Sequence, residues 1–361
     1  VAPSLTFAFP GDINTLTGGY LYDKRVMAEL GALGWAVHPL SLDRRLPWVD
    51  DVLRQQTAEL LAQVDAQDML IIDGLALGAL GRSAQLIRRQ RPFTALVHHP
   101  LALESGIDGA TAQRLHEAEM LALEQASQVI VTSAMTCSTL VEQFCVPAQK
   151  ITVIMPGVEP VPAALTAGAT LGCQQPRDVI RLLSVGSLVH RKGFDLLINA
   201  LGSLRHLPWR LNIVGDDQRS PDVTKEIERL IAAHELSDRI AILGAQPTEV
   251  LNKEYQQADV FVLASRYEGY GMAYAEALAW GLPVIGTEAG AARDTLDTPG
   301  AMMVGVEDTP ALSAALDRLI SQPALRQKMR TAALEHAKQL LSWQRVGQLF
   351  AQTLMSPAGT R

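Results

Sequence analysis

The chain has 361 residues, of which 48% are hydrophobic and 19% charged, a globular composition that excludes a disordered chain and is long enough for two ordinary domains. Its formal net charge of −7 argues against a general nucleic-acid binder, which needs a basic surface, but leaves room for a small basic pocket. No apolar run reaches the roughly 18 residues of a membrane-spanning helix.

The opening VAPSLTFAFPGD carries no basic leader before an apolar core, so the chain reads as cytoplasmic. Leu5 to Phe9 is a first strand, PGDINTLTGG an irregular loop, and Gly18 and Gly19 sit where strand hands over to helix. The glycine pair is either a tight turn or a close backbone approach to a phosphate or acceptor; GxGxxG is absent, so it is not the dinucleotide fingerprint. Tyr22, Val26, Leu30 and Leu33 recur at helical spacing, with a stop at Gly34. Strands are predicted near 36–40, 69–72, 93–97, 129–132 and 151–154, with helices near 51–64, 76–89, 111–125 and 136–144. This alternation implies a parallel sheet with right-handed crossovers.

His98 and His99 end one predicted strand, at the carboxyl edge of the sheet. Such a histidine is more often structural than catalytic, though a neutral imidazole can both donate and accept a hydrogen bond. Arg82, Arg88, Arg89 and Arg91 cluster on or just after one helix. From Val1 to Lys150, however, 11 Lys and Arg face 16 Asp and Glu, so a solvated face is favoured over peripheral membrane contact. Cys137, Cys145 and Cys173 have neither CxxC nor Cys/His ligand spacing. They read as buried or incidental thiols, not as disulfides or a zinc site.

Between Pro156 and Ile180 the chain is rich in Pro, Ala and Gly without a sustained period, and reads as a linker. The alternation restarts at RLLSVGSL, where Gly186 is followed by Arg191 and Lys192 at the mouth of a helix striped by Leu197, Ala200, Leu201 and Leu204. Cations are unfavourable at a helix N-terminus, so this pair implies a missing anion such as a diphosphate. A strand at 211–214 ends in Gly215, Asp216 and Asp217, where the aspartates read as a turn and helix cap, not a metal site. After a strand at 240–243 and Gly244 comes ADVFVLASRYEGYGMAYAEALAWGLPVIGTEAG. Its order is strand, glycine-containing loop, helix, strand, which puts the start of a helix at the carboxyl edge of a sheet, where open α/β folds bind ligands. Free N–H groups of Gly271 and Met272 favour an anion there. Glu268 lies in the loop and Glu276 in the second helical turn, and either could simply complement the helix dipole. Further on, Thr309 and Pro310 suggest a cap and first helical residue, Pro323 restarts a helix, and a last helix runs from Ser342 to Met355.

The Glu-x7-Glu spacing of Glu268 and Glu276, with the stretch from Val185 to Gly290, resembles the retaining glycosyltransferases of family 4. That resemblance implies an α/β GT-B architecture: two Rossmann-like, doubly wound parallel-sheet domains facing across a cleft. The divisions would be an acceptor-side domain at 1–156, a linker at 157–179, a nucleotide-sugar domain at 180–340, and a final helix within 341–361 crossing back to the first domain. It implies UDP- or GDP-sugar as donor, a hydroxyl acceptor on a sugar, glycolipid or small molecule, and no bound metal or cofactor. It assigns Gly18 and Gly19 a close approach to ligand, His98 or else His99 the donor sugar, and Gly186, Arg191 and Lys192 the diphosphate. Gly244 would position the base, Glu268 the sugar and Glu276 the ribose. Two positions depart from the family: Asp294 stands where a Glu is usual, and Ala291 replaces the second glycine of a pair.

The reaction so implied is transfer of a hexosyl group with retention. Arg191, Lys192 and the Gly271 and Met272 N–H groups would stabilise charge growing on the diphosphate, and the leaving phosphate would take the acceptor's proton. On this reading Arg191→Ala or Glu268→Ala abolishes transfer and leaves the fold intact. The competing classes are another GT-B enzyme, such as a nucleotide-sugar epimerase or a phosphorylase, and a non-catalytic nucleotide-binding partner subunit.

Overall fold

The computed structural model describes residues 2–104, 106–161 and 179–356; most of the predicted linker, and Cys173 with it, lies outside them. The backbone forms two compact units, Val1–Gly157 with Leu341–Arg361, and Val158–Leu340.

In the first unit the strands are β1 (Ser4–Pro10), β2 (Ala36–Leu42), β3 (Met69–Asp73), β4 (Thr94–Val97), β5 (Gln128–Val131) and β6 (Ile151–Val153). They alternate with α1 (Gly18–Ala32), α2 (Asp51–Ala62), α3 (Gly74–Leu80), α4 (Ala84–Gln90), α5 (Gly109–Gln125) and α6 (Ala134–Phe144). The sheet order is β2-β1-β3-β4-β5-β6, with every pairing parallel. Strands covered on both faces read as continuous apolar runs, and β4 is buried at every position. Pro39 is tolerated because β2 is an edge strand.

Several local readings change. The helix expected at 76–89 is broken by Gly81, whose φ of +53° no helix accommodates. Leu33 is not on the buried stripe of α1 but caps its end, exposed. Arg91 is no surface cation: it is 8% exposed and donates to the carbonyls of Val64 (2.7 Å) and Asp65 (2.6 Å), anchoring the turn before β3. Arg82, Arg88 and Arg89 are exposed. Cys145 is exposed too, not buried, in a left-handed cap after α6.

The second unit contains β7 (Ile180–Val185), β8 (Trp209–Val214), β9 (Ile240–Ile242), β10 (Val260–Leu263), β11 (Val284–Thr287) and β12 (Ala301–Val304). Its helices are α7 (Phe194–Gly202), α8 (Pro221–Ala233), α9 (Thr248–Gln257), α10 (Met272–Ala279), α11 (Ala292–Leu296), α12 (Thr309–Ser321) and α13 (Pro323–Ala337). The sheet order is β12-β11-β10-β7-β8-β9, again parallel throughout. The cap of α12 is Asp308, whose carboxylate accepts from Ala311 N at 2.9 Å, not Thr309. The last helix, α14 (Trp343–Met355), begins at the Ser342 cap and packs on α1 in the first unit. Each sheet therefore has one point where the order reverses, between β1 and β3 and between β7 and β10. Crevices at the carboxyl ends of such strands are where open α/β sheets bind ligands.

Candidate active site

In the second unit the reversal sets the loop after β7 against the loop after β10. Gly193 makes their approach possible: its φ is +65°, and a Cβ there would lie 1.9 Å from the Ala264 carbonyl oxygen. The short turn His190–Lys192 ahead of it delivers two cations into the crevice. Lys192 Nζ donates to Glu268 Oε1 at 2.7 Å, Ser265 Oγ donates to the same oxygen at 2.6 Å, and Arg191 Nη1 lies 3.6 Å from Glu268 Oε2. Glu268 is 5% exposed. Burial alone would raise its carboxyl, but Lys192 and Arg191 outweigh burial and hold it below the ordinary carboxylate range. Lys192 is pushed down by burial, and the Glu268 carboxylate recovers only part of that shift. The anion expected opposite this cation pair is thus supplied, in this state, by the chain itself.

The loop carrying Glu268 is tied at almost every residue. Arg266 N donates to Arg191 O (2.7 Å), and its guanidinium reaches His190 O (2.7 Å) and both oxygens of Asp195 (2.8 and 2.7 Å). Arg191 Nη1 donates to Tyr267 O (2.7 Å), Ala291 N to Glu268 O (2.8 Å) and Thr295 Oγ1 to Tyr270 O (2.8 Å). Ala291, where a glycine was the family expectation, therefore serves the loop through its backbone. Gly271, at φ +92°, then opens α10; a Cβ would sit 2.6 Å from the Tyr274 ring. The first N–H groups of α10, those of Gly271 and Met272 among them, lie ahead of any intrahelical acceptor.

Glu276 is placed apart from the Lys192–Glu268 pair in its bonding: it accepts from Tyr255 Oη at 2.9 Å. Tyr255 is buried, and its phenol is pushed well up by burial and by Glu276. Gly186 lies against the Lys192 stem, 3.2 Å from Cε for an added Cβ, and Gly244 N-terminal to α9 accepts from Gly215 N (3.0 Å). Asp216 accepts from Gln218 N at 2.9 Å, the expected Asx turn. Asp294 is exposed in α11.

In the first unit His98, not His99, is drawn into a cluster. His98 Nε2 lies 2.9 Å from Asp23 Oδ1 on α1 and 3.5 Å from Asp73 Oδ2 at the end of β3. His99 instead pairs with Glu104 at 2.9 Å in the following loop. Thr17 caps α1, so Gly18 and Gly19 are its first helical residues, and Gly19 leaves room for the His98 ring, 3.3 Å from a Cβ. Glu119, buried on α5, accepts from Leu101 N (2.7 Å) and Ala102 N (3.0 Å) and so pins the segment after the histidines; burial pushes its carboxyl up to about 7.

Sequence reasoning missed Arg266, Tyr255, Glu119, Asp23 and Asp73. A signal existed for the aspartates: Asp23 interrupts the apolar stripe of α1, and Asp73 ends the apolar run MLIID.

Residues 174–336 match the model of the glycosyl transferases group 1 family. Over 349 residues the chain is 24% identical to an uncharacterized glycosyltransferase of Methanocaldococcus jannaschii, covering 93% of this chain and 87% of that one. It is a glycosyltransferase of the GT-B fold. The glycosyltransferase is also 26% identical to the MMP alpha-(1->4)-mannosyltransferase of Mycolicibacterium hassiacum, covering 75% of this chain but only 66% of that enzyme's length. In fold it is similar to Anabaena HepE, solved in complex with UDP and glucose, at TM-score 0.75 and 19% identity over 98% of this chain and 99% of the other. The matched segment of the glycosyltransferase contains Arg191, Lys192, Gly244, Glu268 and Glu276, whereas the His98 cluster lies outside it.

Proposed function

We propose that this enzyme moves a hexosyl group from a UDP- or GDP-sugar to a hydroxyl acceptor, on a sugar, glycolipid or small molecule, with retention at the anomeric carbon. The observation that carries this reading is the meeting of Lys192 and Arg191 with Glu268 at the β7/β10 reversal, at the foot of α10. An entering diphosphate takes the ammonium and the guanidinium as counter-charges and the N–H groups of Gly271 and Met272 as donors. As negative charge grows on the leaving phosphate, these fixed groups stabilise it without reorganising.

Glu268 exchanges Lys192 for the sugar's hydroxyls, which an ionised carboxylate can only accept from. Glu276, already accepting from one phenol, accepts from the ribose hydroxyls. The resemblance gives His98 a hydroxyl of the sugar and Gly244 a place beside the base. No covalent nucleophile is needed if the leaving phosphate takes the acceptor's proton on the same face, and the scheme uses no metal. A relative's fold holding UDP and glucose supports the donor class.

The test is a thermal-shift panel of UDP, GDP, ADP and their common sugars, followed by product analysis. Stabilisation by one nucleotide, and a product whose anomeric configuration by NMR equals the donor's, in the presence of EDTA, are expected. Failure of every nucleotide to stabilise the protein, or an inverted product, would sink the proposal.

A further inference from the structure

The first unit buries three titratable groups at its own sheet reversal, between β1 and β3, and nothing in the scheme above uses two of them. Asp23 is 0% exposed and Asp73 1%, and the Oδ2 atom of each makes no hydrogen bond. Ionised carboxylates cannot be left so without a nearby positive charge. Among the described residues the group that reaches both is the His98 imidazole, through one ring nitrogen, Nε2. Burial and the neighbouring Asp73 push the Asp23 carboxyl up to about 7, so above that pH Asp23 is ionised, and ionised oxygens converging on one nitrogen require that nitrogen to be a donor.

We propose that Asp23 and Asp73 hold His98 as an imidazolium with its Nε2–H turned inwards, so that the first unit presents a fixed cationic donor through Nδ1 and not a general base. Asp23 and Asp73 are positioning residues in this scheme. Tyr22 abuts the ring edge, centroids 5.3 Å apart and planes at 84°, and Gly19 leaves the ring the room it occupies, since a Cβ there would lie 3.3 Å from it. Tyr22's own phenol is committed to Ile154 O at 2.8 Å. The charged groups acting on His98 are therefore Asp23 from α1 and Asp73 from β3. Burial alone would lower the imidazole, but the two carboxylates push it up to about 10. A proton retained at pH 7.5 cannot be the one that an acceptor hydroxyl gives up, which agrees with the leaving phosphate as the base. That consequence, and not the protonation itself, rests on the proposed function.

The experiment has two arms. In the first, the intact protein is labelled with ¹⁵N-histidine, His98 is assigned by its loss in His98→Gln, and its ring nitrogens are followed from pH 6 to 9. Both nitrogens should show the protonated shift across that range. In Asp73→Asn and Asp23→Asn, whose folding is checked by circular dichroism, the titration should fall by roughly one to three pH units. A neutral His98 in the wild type at pH 7.5 would overturn the proposal. So would a change to a neutral, metal-bound form on adding Mg²⁺ or Zn²⁺, a test the geometry invites because an imidazole nitrogen and two carboxylate oxygens lie within 4.8 Å of one another.

The second arm is kinetic. Asp73→Asn should lower kcat on the order of 10- to 100-fold with little change in donor KM and introduce a new inflection in the pH profile near neutrality. An unchanged kcat and an unchanged profile would remove the positioning role. If the wild type turns over no donor at all, the functional reading fails, while the first arm still decides the state of His98.

Discussion

A carboxylate that is 5% exposed and bonded to a largely enclosed ammonium cannot be deleted without consequence for the fold. Glu268→Ala would strand Lys192, and truncating one partner of a buried ion pair costs about 3–5 kcal/mol. The structure therefore revises the expectation that this variant folds normally: denaturant unfolding should show a large loss, so the variant is a poor probe of catalysis. Glu268→Gln, which keeps an acceptor for Ser265, is the cleaner test; it should bind nucleotide yet turn over donor at least about 100-fold more slowly. Gly186→Ala separates the same site from stability. Its new Cβ would press on the flexible Lys192 stem at 3.2 Å, displacing the ammonium and not the backbone. Donor KM should rise about tenfold, near 1.4 kcal/mol, with an unfolding midpoint close to that of the wild type; an unchanged KM would disconnect Lys192 from the donor. At His98 the folded pKa is raised from the unfolded value near 6.5. Its contribution to stability is whole below about pH 6.5 and is lost as pH rises through about 10. His98→Gln should therefore flatten the fall of Tm across that window.

Among elements, the turn before α7 and the loop before α10 behave as one part, and Arg266 is the clamp. It holds the turn by two carbonyls, those of Arg191 and His190, while Asp195 and Glu307 fix its guanidinium. Arg266→Gln should lower kcat/KM on the order of 10- to 100-fold without touching ligand, because a small misplacement of charged groups is that costly. Normal kinetics would show that the turn holds itself. Gly193→Ala is harsher, since the clash is with the Ala264 backbone at 1.9 Å and nothing flexible can give; the second unit should fail to fold, seen as loss of a cooperative transition. This level marks the limit of what residues alone disclose. Apolar runs and glycine stops announced most strands, the parallel alternation, and the position of Arg191, Lys192, Glu268 and Gly271 in loops at strand ends, because burial and backbone conformation are local in cause. Arg266, Tyr255 and Glu119 were invisible because their partners lie at least 17 positions away and only the sheet order brings them together. The break at Gly81 was missed because an isolated glycine in a helical pattern is usually tolerated.

For the molecule as a whole, the last helix gives the first unit a closure that its first 157 residues do not contain. Trp343 and Phe350 of α14 pack on Tyr22, with ring centroids 5.8 and 6.0 Å away, and Tyr22 is the ring that abuts His98. Gly347 allows this closeness, for a Cβ there would meet Glu29 Cβ at 2.5 Å. The far end of the chain thus reaches the His98 cluster through one tyrosine, within a single unit. Phe350 is fully buried, so Phe350→Ala should cost about 3–5 kcal/mol through the cavity it leaves. The same change frees Tyr22 to shift, and His98 should then lose part of its fixed orientation. The expected outcome is a lower Tm for the first unit together with broadened His98 ring signals in ¹⁵N spectra. Thermal stabilisation by nucleotide, which on the proposed reading draws on Lys192 and α10 in the other unit, should keep its magnitude. If Phe350→Ala instead abolished nucleotide binding while His98 stayed sharp, the last helix would be serving the second unit's ligand, and the route through Tyr22 would be wrong.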